Sequence, residues 1–366
     1  MRVMLVIGAR PQIIKSAPVV HEASKDSDVE FQIVHTGQHY DFEMSKIFFN
    51  ELDLSSPTTN LGVGSGSHAW QTGKMMIELE KTISKSDPDV VLVPGDTNST
   101  LAGALASIKL HVPVAHIEAG ARSYNMRMPE EINRRLTDHC SEVLFAVSEN
   151  CVQNLLKEGI PEDQIHLVGD TMYDALLKHT SGVSGRRVLE SLGLSANEYV
   201  VLTVHRPENV DDVESLKRVI KAVIELEELT IVFPVHPRTL KRLKEGDLLK
   251  RLKKTKHVKL VDPVGYHGML QLVKNARMVF TDSGGLQKEA FWLRTFCVTL
   301  RERTEWVETV ELGANVLVGS DRDRIVGKAR ECLAINSLES MLKALKNPFG
   351  GGDASVKIIE VLKEVC

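Results

Sequence analysis

The motifs VPGDTNS (residues 93–99), HIEAGAR (116–122) and PEEINR (129–134) lie close together in the chain and decide its fold. Residues 90–93 are apolar and predict a buried strand, which ends in a glycine turn before the alanine-rich stretch Asn98–Lys109, a predicted helix. Residues 112–117 repeat this pattern and predict a second strand, with Glu118 at its carboxyl end. Pro129 suits the first turn of a further helix that carries Glu130.

Three acidic side chains, Asp96, Glu118 and Glu130, are therefore expected at one edge of the predicted sheet. In open α/β sheets, ligands bind beyond the carboxyl ends of the strands. Several carboxylates in one crevice favour acid–base or leaving-group chemistry. In the alternative interpretation, Asp96 only caps a helix and Glu118 only pairs with Arg122. That interpretation is sufficient for any one of these residues but weaker for all three together.

Strand–helix alternation continues through both halves of the chain and predicts an α/β fold. It begins with a strand at residues 3–7 and restarts with a strand at residues 199–204. Repeated units of this kind imply parallel sheets covered by helices on both faces. We therefore predict two doubly wound, Rossmann-like domains that face each other across a cleft. Their predicted bounds are residues 1–169 and 170–352, and a helix within residues 353–366 is predicted to cross back onto the first domain.

Composition and charge restrict the classes of partner. With 366 residues, 43% of them hydrophobic and 26% charged, the chain is of ordinary globular type and long enough for two domains. The formal net charge of −4 gives no argument for nucleic acid or a membrane as a partner, and the lysine-rich stretch 241–259 is interpreted as a solvated helix face. We see no membrane span or secretory signal. The five cysteines lack Cys-x-x-Cys spacing, which predicts a cytoplasmic protein without a disulfide framework or zinc site.

The first predicted strand is followed by GARP (residues 8–11) rather than by Gly-x-Gly-x-x-Gly, which argues against a nicotinamide cofactor. Arg10 and Lys15 instead place two cations at a strand end and a helix start, where charge and backbone amides together can hold an anion. For Lys15 alone, a surface position is the simpler interpretation. A metal site would use Asp96, His116 and Glu118, with Glu130 as a further ligand, but no recognised ligand spacing supports it, so no metal is predicted.

The second half of the chain has the features of a phosphate site. Ser283, Gly284 and Gly285 open a predicted helix, whose free amides and dipole favour an anion, and Glu289 lies within reach of ribose hydroxyls. A simple serine cap is the alternative. The other polar residues at strand ends have different expected roles: His205 with Arg206 suits a phosphate or a leaving group, His236 suits a structural position or a binding-site wall, and Arg301 adds a cation.

Ordered motifs along nearly the whole chain resemble the non-hydrolysing UDP-N-acetylglucosamine 2-epimerases, which have a glycosyltransferase-B (GT-B) type fold. The first half carries GARP with Lys15, Gln38-His39, GDT (95–97), HIEAG (116–120) and PEEINR (129–134). The second half carries HRPEN (205–209), PVHP (234–237), DSGGLQKE (282–289) and RERTE (301–305).

The resemblance implies interconversion of UDP-GlcNAc and UDP-ManNAc without a metal or nicotinamide cofactor. In that family, anti elimination of UDP leaves a 2-acetamidoglucal intermediate, and UDP adds back after C2 is reprotonated on the other face. The matching positions are Asp96, Glu118, Glu130, Arg134, His205 and Lys15 for catalysis, and Arg10, Ser283, Gly284, Gly285, Glu289, His236 and Arg301 for the substrate. Which carboxylate removes the C2 proton stays open.

The resemblance further implies a homodimer, and a second UDP-GlcNAc bound as an allosteric activator by Gln38, His39 and Gln71. UDP-GlcNAc, UDP-ManNAc and UDP are then the ligands, and polysaccharide or glycan synthesis is the usual use of the product. Three other functions stay open: a hydrolysing epimerase that releases ManNAc and UDP, a GT-B glycosyltransferase, and a nucleotide-sugar sensor. A sensor has no use for three carboxylates together.

Overall fold

The computed structural model describes residues 1–38, 48–180, 186–335 and 337–365. The chain divides into two compact units. The first contains Met1–His179 and Asn347–Cys366, and the second contains Thr180–Lys346. The last helix, Ala354–Val365, thus belongs to the first unit, where Lys363 Nζ lies 2.5 Å from Asp26 Oδ2.

The first unit is built on a seven-stranded sheet in which every pairing is parallel. Its strands are β1 (Arg2–Ile7), β2 (Glu30–His35), β3 (Thr59–Asn60), β4 (Val90–Pro94), β5 (Val114–Ala119), β6 (Val143–Ala146) and β7 (Ile165–Leu167). The helices with it are Arg10–Ala23, His68–Ser86, Asn98–Lys109, Pro129–Cys140, Glu149–Lys157, Thr171–Thr180 and Ala354–Val365, with a 3₁₀ turn at Glu162–Gln164.

The strand order of the first sheet is β3-β2-β1-β4-β5-β6-β7. The order in which strands are added therefore reverses between β1 and β4, with β2 and β3 on one side of β1 and β4 to β7 on the other. All residues of β4 and β5 are buried, as expected for central parallel strands covered on both faces. Helix Asn98–Lys109 packs an alanine-rich face into this core, and Gly103 allows the approach because a Cβ there would lie 2.9 Å from Val93. Ligands of doubly wound sheets bind where the order reverses, which directs attention to the loops after β1 and β4.

The second unit repeats the design on a six-stranded parallel sheet of order β10-β9-β8-β11-β12-β13. Its strands are β8 (Tyr199–Thr203), β9 (Thr230–Pro234), β10 (Val258–Val261), β11 (Met278–Thr281), β12 (Phe296–Thr299) and β13 (Asn315–Leu317). Its helices are Arg186–Leu192, Pro207–Val210, Val213–Glu225, Pro237–Glu245, Leu248–Lys254, Tyr266–Lys274, Gly284–Trp292, Val307–Glu311, Arg322–Ala334 and Leu338–Ala344. Here the order reverses between β8 and β11.

Two parallel, doubly wound sheets confirm the predicted fold class, and the helices Asn98–Lys109 and Ala354–Val365 have the predicted bounds. The edge strands β3, β10 and β13 are not predicted; β3 and β13 contain only two and three residues, and β10 includes Lys259 and begins at the end of a lysine-rich stretch. The lysine-rich stretch 241–259 places exposed lysines on the helices Pro237–Glu245 and Leu248–Lys254, as predicted, and its last two residues begin β10. β5 begins two residues later than predicted and continues through Glu118 to Ala119.

None of the helices in the described part of the chain combines the length and the apolar character needed to cross a bilayer.

Candidate active site

Gln12 joins the two loops at the reversal point of the first sheet. Its side-chain oxygen accepts hydrogen bonds from the amides of Gly8 (2.8 Å) and Ala9 (3.1 Å). Its side-chain nitrogen donates to the carbonyl of Pro94 (2.9 Å) and to Thr100 Oγ1 (3.0 Å). Because this glutamine is buried, the end of β1 and the turn after β4 form one rigid frame. Its role could not be recognised from the sequence, where it resembles any polar residue of a first helical turn.

Lys15 and Glu118 form a buried ion pair within this frame. Lys15 Nζ lies 2.7 Å from Glu118 Oε1, and the side chains are 9% and 5% exposed. The same nitrogen lies against the turn before Asp96, because a Cβ added to Gly95 would be 3.0 Å from it. Gly95 also has a φ of +70°, which favours glycine. The surface interpretation of Lys15 is therefore wrong: its ammonium lies between Glu118 and the Gly95–Asp96 turn.

Glu118 itself has an unusual backbone. Its φ is +73°, in the left-handed region that non-glycine residues rarely occupy. The register of β5 against β6 shifts between Ile117 and Ala119, so Glu118 is the extra residue of a β-bulge. Bulges redirect side chains, and strained backbone of this kind persists only where the surroundings hold it in place. The sequence prediction of a plain strand end at this residue misses the bulge.

The second acidic residue, Asp96, is held from the helix Pro129–Cys140. Arg134 NH2 lies 2.5 Å from Asp96 Oδ2, and Asn133 Nδ2 donates to the Asp96 carbonyl (2.9 Å). Residues four apart share one helix face, so the half-buried Glu130 lies on the face of Arg134. The first unit thus brings Lys15, Asp96, Glu118 and Arg134 to one edge of the sheet, with Glu130 on the helix that closes it.

Glu131 has a different role from its neighbour. It is fully buried and accepts hydrogen bonds from the amide and hydroxyl of Ser123 (2.8 and 2.9 Å) and from the amide of Tyr124 (3.1 Å). It also pairs with Arg134 at 3.2 Å. Glu131 therefore fixes the loop before the helix, a role that adjacent glutamates in a sequence do not reveal.

The alternative interpretation of Asp96 and Glu118 is wrong in both parts. The side chain that accepts from the N-terminal amides of helix Asn98–Lys109 is Thr97, from Thr100 (3.3 Å). Arg122 pairs with Asp138 (2.6 Å) and Glu158 (2.8 Å), whereas the ion pair of Glu118 is with Lys15.

Gln38 and Gln71, predicted for an allosteric site, meet at the start of helix Asn98–Lys109. Gln38 Oε1 accepts from the amide (3.0 Å) and hydroxyl (2.6 Å) of Ser99. Gln71 Nε2 donates to the carbonyls of Gln38 (3.1 Å) and Gly64 (2.8 Å). His39, the third predicted residue, lies outside the described residues. Arg10 stacks on Phe48, with its guanidinium carbon 4.5 Å from the ring centroid.

The second unit has a corresponding frame around Asp282. This fully buried carboxylate accepts from the amides of His205 (3.0 Å) and Arg206 (2.9 Å) and from Asn209 Nδ2 (3.1 Å). The loops after β8 and β11, on either side of the reversal point, are thereby joined. His205 Nδ1 lies 3.4 Å from Asp282 Oδ1, and the ring of His236 lies 5.6 Å away, centroid to centroid.

Ser283 caps the helix Gly284–Trp292, because its hydroxyl accepts from the amide of Leu286 (3.4 Å). Ser283 is therefore a helix cap, as in the alternative interpretation. The amides of Gly284 and Gly285 also lie at the helix start, where an anion is favoured. A Cβ on Gly284 would lie 3.4 Å from Trp306 Nε1. Glu289 is buried further along the same helix.

Two predicted binding residues have partners within the second unit. Arg301 makes a two-pronged, buried ion pair with Glu305 (2.9 and 3.0 Å). His236 accepts from the amide of Arg238 through Nδ1 (3.2 Å) and so caps the helix Pro237–Glu245. Because Nδ1 accepts, Nε2 carries the ring proton. Within the described ranges, no three His, Cys, Asp or Glu side chains are grouped so as to hold a metal ion.

Residues 21–363 match the protein-family profile described as UDP-N-acetylglucosamine 2-epimerase. The chain belongs to this family. Among curated members, it is 48% identical to the UDP-N-acetylglucosamine 2-epimerase homolog of Methanococcus maripaludis and 44% identical to the UDP-2,3-diacetamido-2,3-dideoxy-D-glucuronate 2-epimerase of Pseudomonas aeruginosa, in both cases over all of each chain. Its structure superposes on the UDP-GlcNAc 2-epimerase of Methanocaldococcus jannaschii, crystallised with UDP-GlcNAc and UDP, with a TM-score of 0.92, 46% identity and full coverage of both chains. The predicted family resemblance and GT-B type fold are confirmed.

Proposed function

We propose that this member of the family interconverts UDP-GlcNAc and UDP-ManNAc and keeps UDP attached to both, without hydrolysis. The observation that carries this proposal is the pair of ion-paired carboxylates at the reversal point of the first sheet, Glu118 with Lys15 and Asp96 with Arg134. The second unit supports the choice of a nucleotide sugar, because it offers a helix start of the kind that binds phosphate. The related structure from Methanocaldococcus jannaschii contains UDP-GlcNAc and UDP.

The chemistry requires carboxylates on the sugar. The C2 proton has no adjacent carbonyl to acidify it, so cleavage of the C1–O bond develops positive charge first, and that electron pair leaves with UDP. Loss of the C2 proton to a carboxylate then gives the 2-acetamidoglucal with its C1–C2 double bond. Return of a proton to the opposite face of C2 and attack of UDP oxygen at C1 complete the inversion. Carboxylates both stabilise the cation and exchange the proton.

In this proposal, Lys15 and Arg134 hold Glu118 and Asp96 in position, and the cations themselves face developing negative charge on the leaving diphosphate. Glu130 supplies the third acidic group, from a helix face shared with Arg134. Which of the three carboxylates accepts the C2 proton stays a prediction to be resolved by mutation. No residue role requires a metal or a nicotinamide cofactor.

For the nucleotide, we propose that Ser283, Gly284 and Gly285 bind phosphate, that Glu289 binds ribose, and that His205 acts on the diphosphate. Arg10 is proposed to add charge near the diphosphate. Arg301 and His236 are weaker candidates for substrate binding than their sequence positions indicate, because Arg301 is paired with Glu305 and His236 caps the helix Pro237–Glu245.

The test is proton NMR of the purified protein with UDP-GlcNAc in heavy water. We expect UDP-ManNAc that carries deuterium at C2, with UDP still attached. Free ManNAc together with UDP would instead identify a hydrolysing epimerase. No change at all would favour a glycosyltransferase or a sensor. The wild-type protein and Asp96→Asn form a matched pair. The variant should lose conversion and retain UDP binding, measured by calorimetry. A sensor would show no conversion with either protein.

A second substrate is supported by the Pseudomonas aeruginosa relative, which is named for a diacetamido uronate sugar and matches over the whole chain at 44% identity. The measurement is kcat/KM for UDP-GlcNAc and for UDP-2,3-diacetamido-2,3-dideoxy-D-glucuronate with the same enzyme preparation. We expect the higher value for UDP-GlcNAc. A higher value for the uronate would replace the substrate and keep the epimerisation.

Three further properties are proposed, two of them on family grounds. A homodimer is proposed from the family resemblance alone, and size-exclusion chromatography with light scattering would measure it. Allosteric activation by UDP-GlcNAc through Gln38, His39 and Gln71 predicts sigmoidal saturation and no turnover of UDP-ManNAc alone. Hyperbolic saturation, with turnover of UDP-ManNAc in the absence of UDP-GlcNAc, would contradict it. A cytoplasmic location is proposed from the five scattered cysteines, which lack the spacing of a disulfide framework.

A further inference from the structure

Asp138 is a fully buried carboxylate behind the candidate site, on helix Pro129–Cys140. Oδ1 lies 2.6 Å from His116 Nδ1. Oδ2 lies 2.6 Å from Arg122 NH2 and accepts from the amide of Gly120 at 3.2 Å. Both oxygens of the carboxylate therefore have partners, which come from three different residues. None of the roles assigned above uses Asp138.

His116, also fully buried, connects Asp138 to the turn before Asp96. Its Nε2 lies 2.7 Å from the carbonyl oxygen of Gly95, which can only accept, so Nε2 carries a proton. Burial by itself would raise the pKa of the Asp138 carboxyl, but His116 and Arg122 outweigh it and lower that pKa below its ordinary value. His116 therefore bridges the Asp138 carboxylate and the carbonyl of Gly95.

The contacts of Asp138 enclose the strained residue. His116 precedes Glu118 by two positions and Gly120 follows it by two, and both are bonded to the same carboxylate. The bulge at Glu118, with its φ of +73°, lies between these two attachments. Strained backbone persists where surrounding contacts over-determine it, and Asp138 provides such contacts on both sides.

We propose that Asp138 is the positioning residue of the site: it holds Glu118 in its left-handed conformation and, through His116, holds the turn that carries Asp96. One buried side chain thus sets the placement of two of the three candidate acid–base groups. The kinetic part of this inference rests on the epimerase activity proposed above, and the structural part does not.

Two substitutions separate geometry from charge. Asp138→Asn retains one oxygen that accepts from Gly120 and Arg122, and its amide nitrogen can donate to His116 Nδ1, so the attachments on both sides of Glu118 survive. Asp138→Leu has a similar volume and removes every attachment. If position is what matters, the asparagine variant should rescue the activity that the leucine variant loses.

Turnover should be expressed per UDP-binding site counted by calorimetry, because a merely unstable variant loses sites and turnover together. A displacement of about 1 Å costs roughly 100-fold in rate. We therefore expect Asp138→Leu to lower kcat per site on the order of 100-fold with KM within about threefold, and Asp138→Asn to stay within about tenfold of wild type. Asp174→Asn is the matched control, because it removes another buried carboxylate of the same unit, one that binds the start of helix Ala354–Val365. It should leave kcat per site unchanged.

A crystal structure of Asp138→Leu gives the readout that is independent of activity. We expect the φ of Glu118 to leave the left-handed region. An unchanged φ, a kcat per site within about threefold of wild type, or an asparagine variant as slow as the leucine variant would each overturn the proposal.

If Asp138→Leu does not fold, His116→Gln serves instead. The single amide nitrogen of glutamine cannot take the place of both ring nitrogens, so one of the contacts to Asp138 and Gly95 is lost. We expect kcat per site to fall about tenfold, and a fall of less than twofold overturns the proposal. Should the wild-type protein fail to convert UDP-GlcNAc, the proposed function fails, and the φ of Glu118 in the variant crystals alone decides this inference.

Discussion

Replacing Lys15 by methionine tests whether the buried ion pair organises the first unit. The substitution retains much of the side-chain volume and removes the charge 2.7 Å from Glu118 Oε1. At an effective dielectric constant near 20, two unit charges at that distance attract by on the order of 6 kcal/mol, before the cost of desolvation. Removing one partner of a buried pair typically lowers the free energy of unfolding by about 3–5 kcal/mol, because the other charge stays buried.

The double variant Lys15→Met/Glu118→Gln separates the interaction between the two charges from the cost of losing each side chain by itself. Both charges are then absent, so the double variant should be destabilised by less than the sum of the single variants, with a coupling free energy of about 1–3 kcal/mol. The exposed pair Lys74–Glu78, at 3.0 Å, provides the control, and its coupling should be about 0.5 kcal/mol or less.

The assay is hydrogen exchange in increasing urea, followed on peptides from β4 and β5. A chain of two units has no single free energy of unfolding, and these peptides report the first unit alone. If the two single substitutions add to within about 0.5 kcal/mol, the pair is not coupled, and the argument from its burial and distance is wrong.

Three further predictions follow from individual residues. Gly95 has a φ of +70°, and a Cβ there would lie against Lys15 Nζ. Gly95→Ala should therefore lower the free energy of unfolding by about 1–3 kcal/mol in the same exchange assay, and it should lower turnover at least tenfold in the NMR assay. Glu131→Gln should destabilise the first unit in the exchange assay, whereas Glu130→Gln should leave stability unchanged and lower turnover. The third prediction concerns stability in acid. The pKa of the Asp138 carboxyl is lowered, because His116 and Arg122 outweigh the effect of its burial. The contribution of Asp138 to the free energy of unfolding is therefore present above the ordinary pKa of 3.8 and is lost as pH falls through the folded pKa. Burial raises the pKa of the Asp174 carboxyl. Its contribution to the free energy of unfolding is therefore present below pH 3.8, the ordinary pKa, and is lost as pH rises through the folded pKa. Urea unfolding at a series of pH values should therefore show Asp138→Asn most destabilised near neutral pH and Asp174→Asn most destabilised in acid.

The parts of the fold that could be predicted are those specified by local pattern. Central parallel strands are buried on both faces and appear as continuous apolar runs, so β1, β4 and β8 are found close to their observed bounds. Short edge strands such as β3 lack such a run. Asp96 and Ser283 could be predicted as candidate site residues because each follows a buried strand at a reversal point of its sheet.

Partners could not be predicted, because they come from distant parts of the chain. Lys15 resembles a surface residue until β5, about a hundred positions later, brings Glu118 to it. Arg301 resembles a phosphate ligand until Glu305 is seen to occupy both prongs of its guanidinium. A motif indicates which residue types meet at a site, and folding decides which of their charges are already paired.

The helix Pro129–Cys140 shows why Asp138 in particular escapes pattern-based analysis. Amphipathic helices normally bury their apolar stripe, and here Ile132 and Leu136 are exposed while Arg134 and Asp138 are buried. A helix that turns its charged face inward has to satisfy every buried charge, and Asp138 does so with donors from either side of Glu118. The strained residue Glu118 and the buried charged face of this helix meet at Asp138, which is bonded on both sides of the bulge. Inverted polarity in a helix beside a reversal point therefore indicates, once burial is known, which residues to test for positioning a candidate acid–base carboxylate.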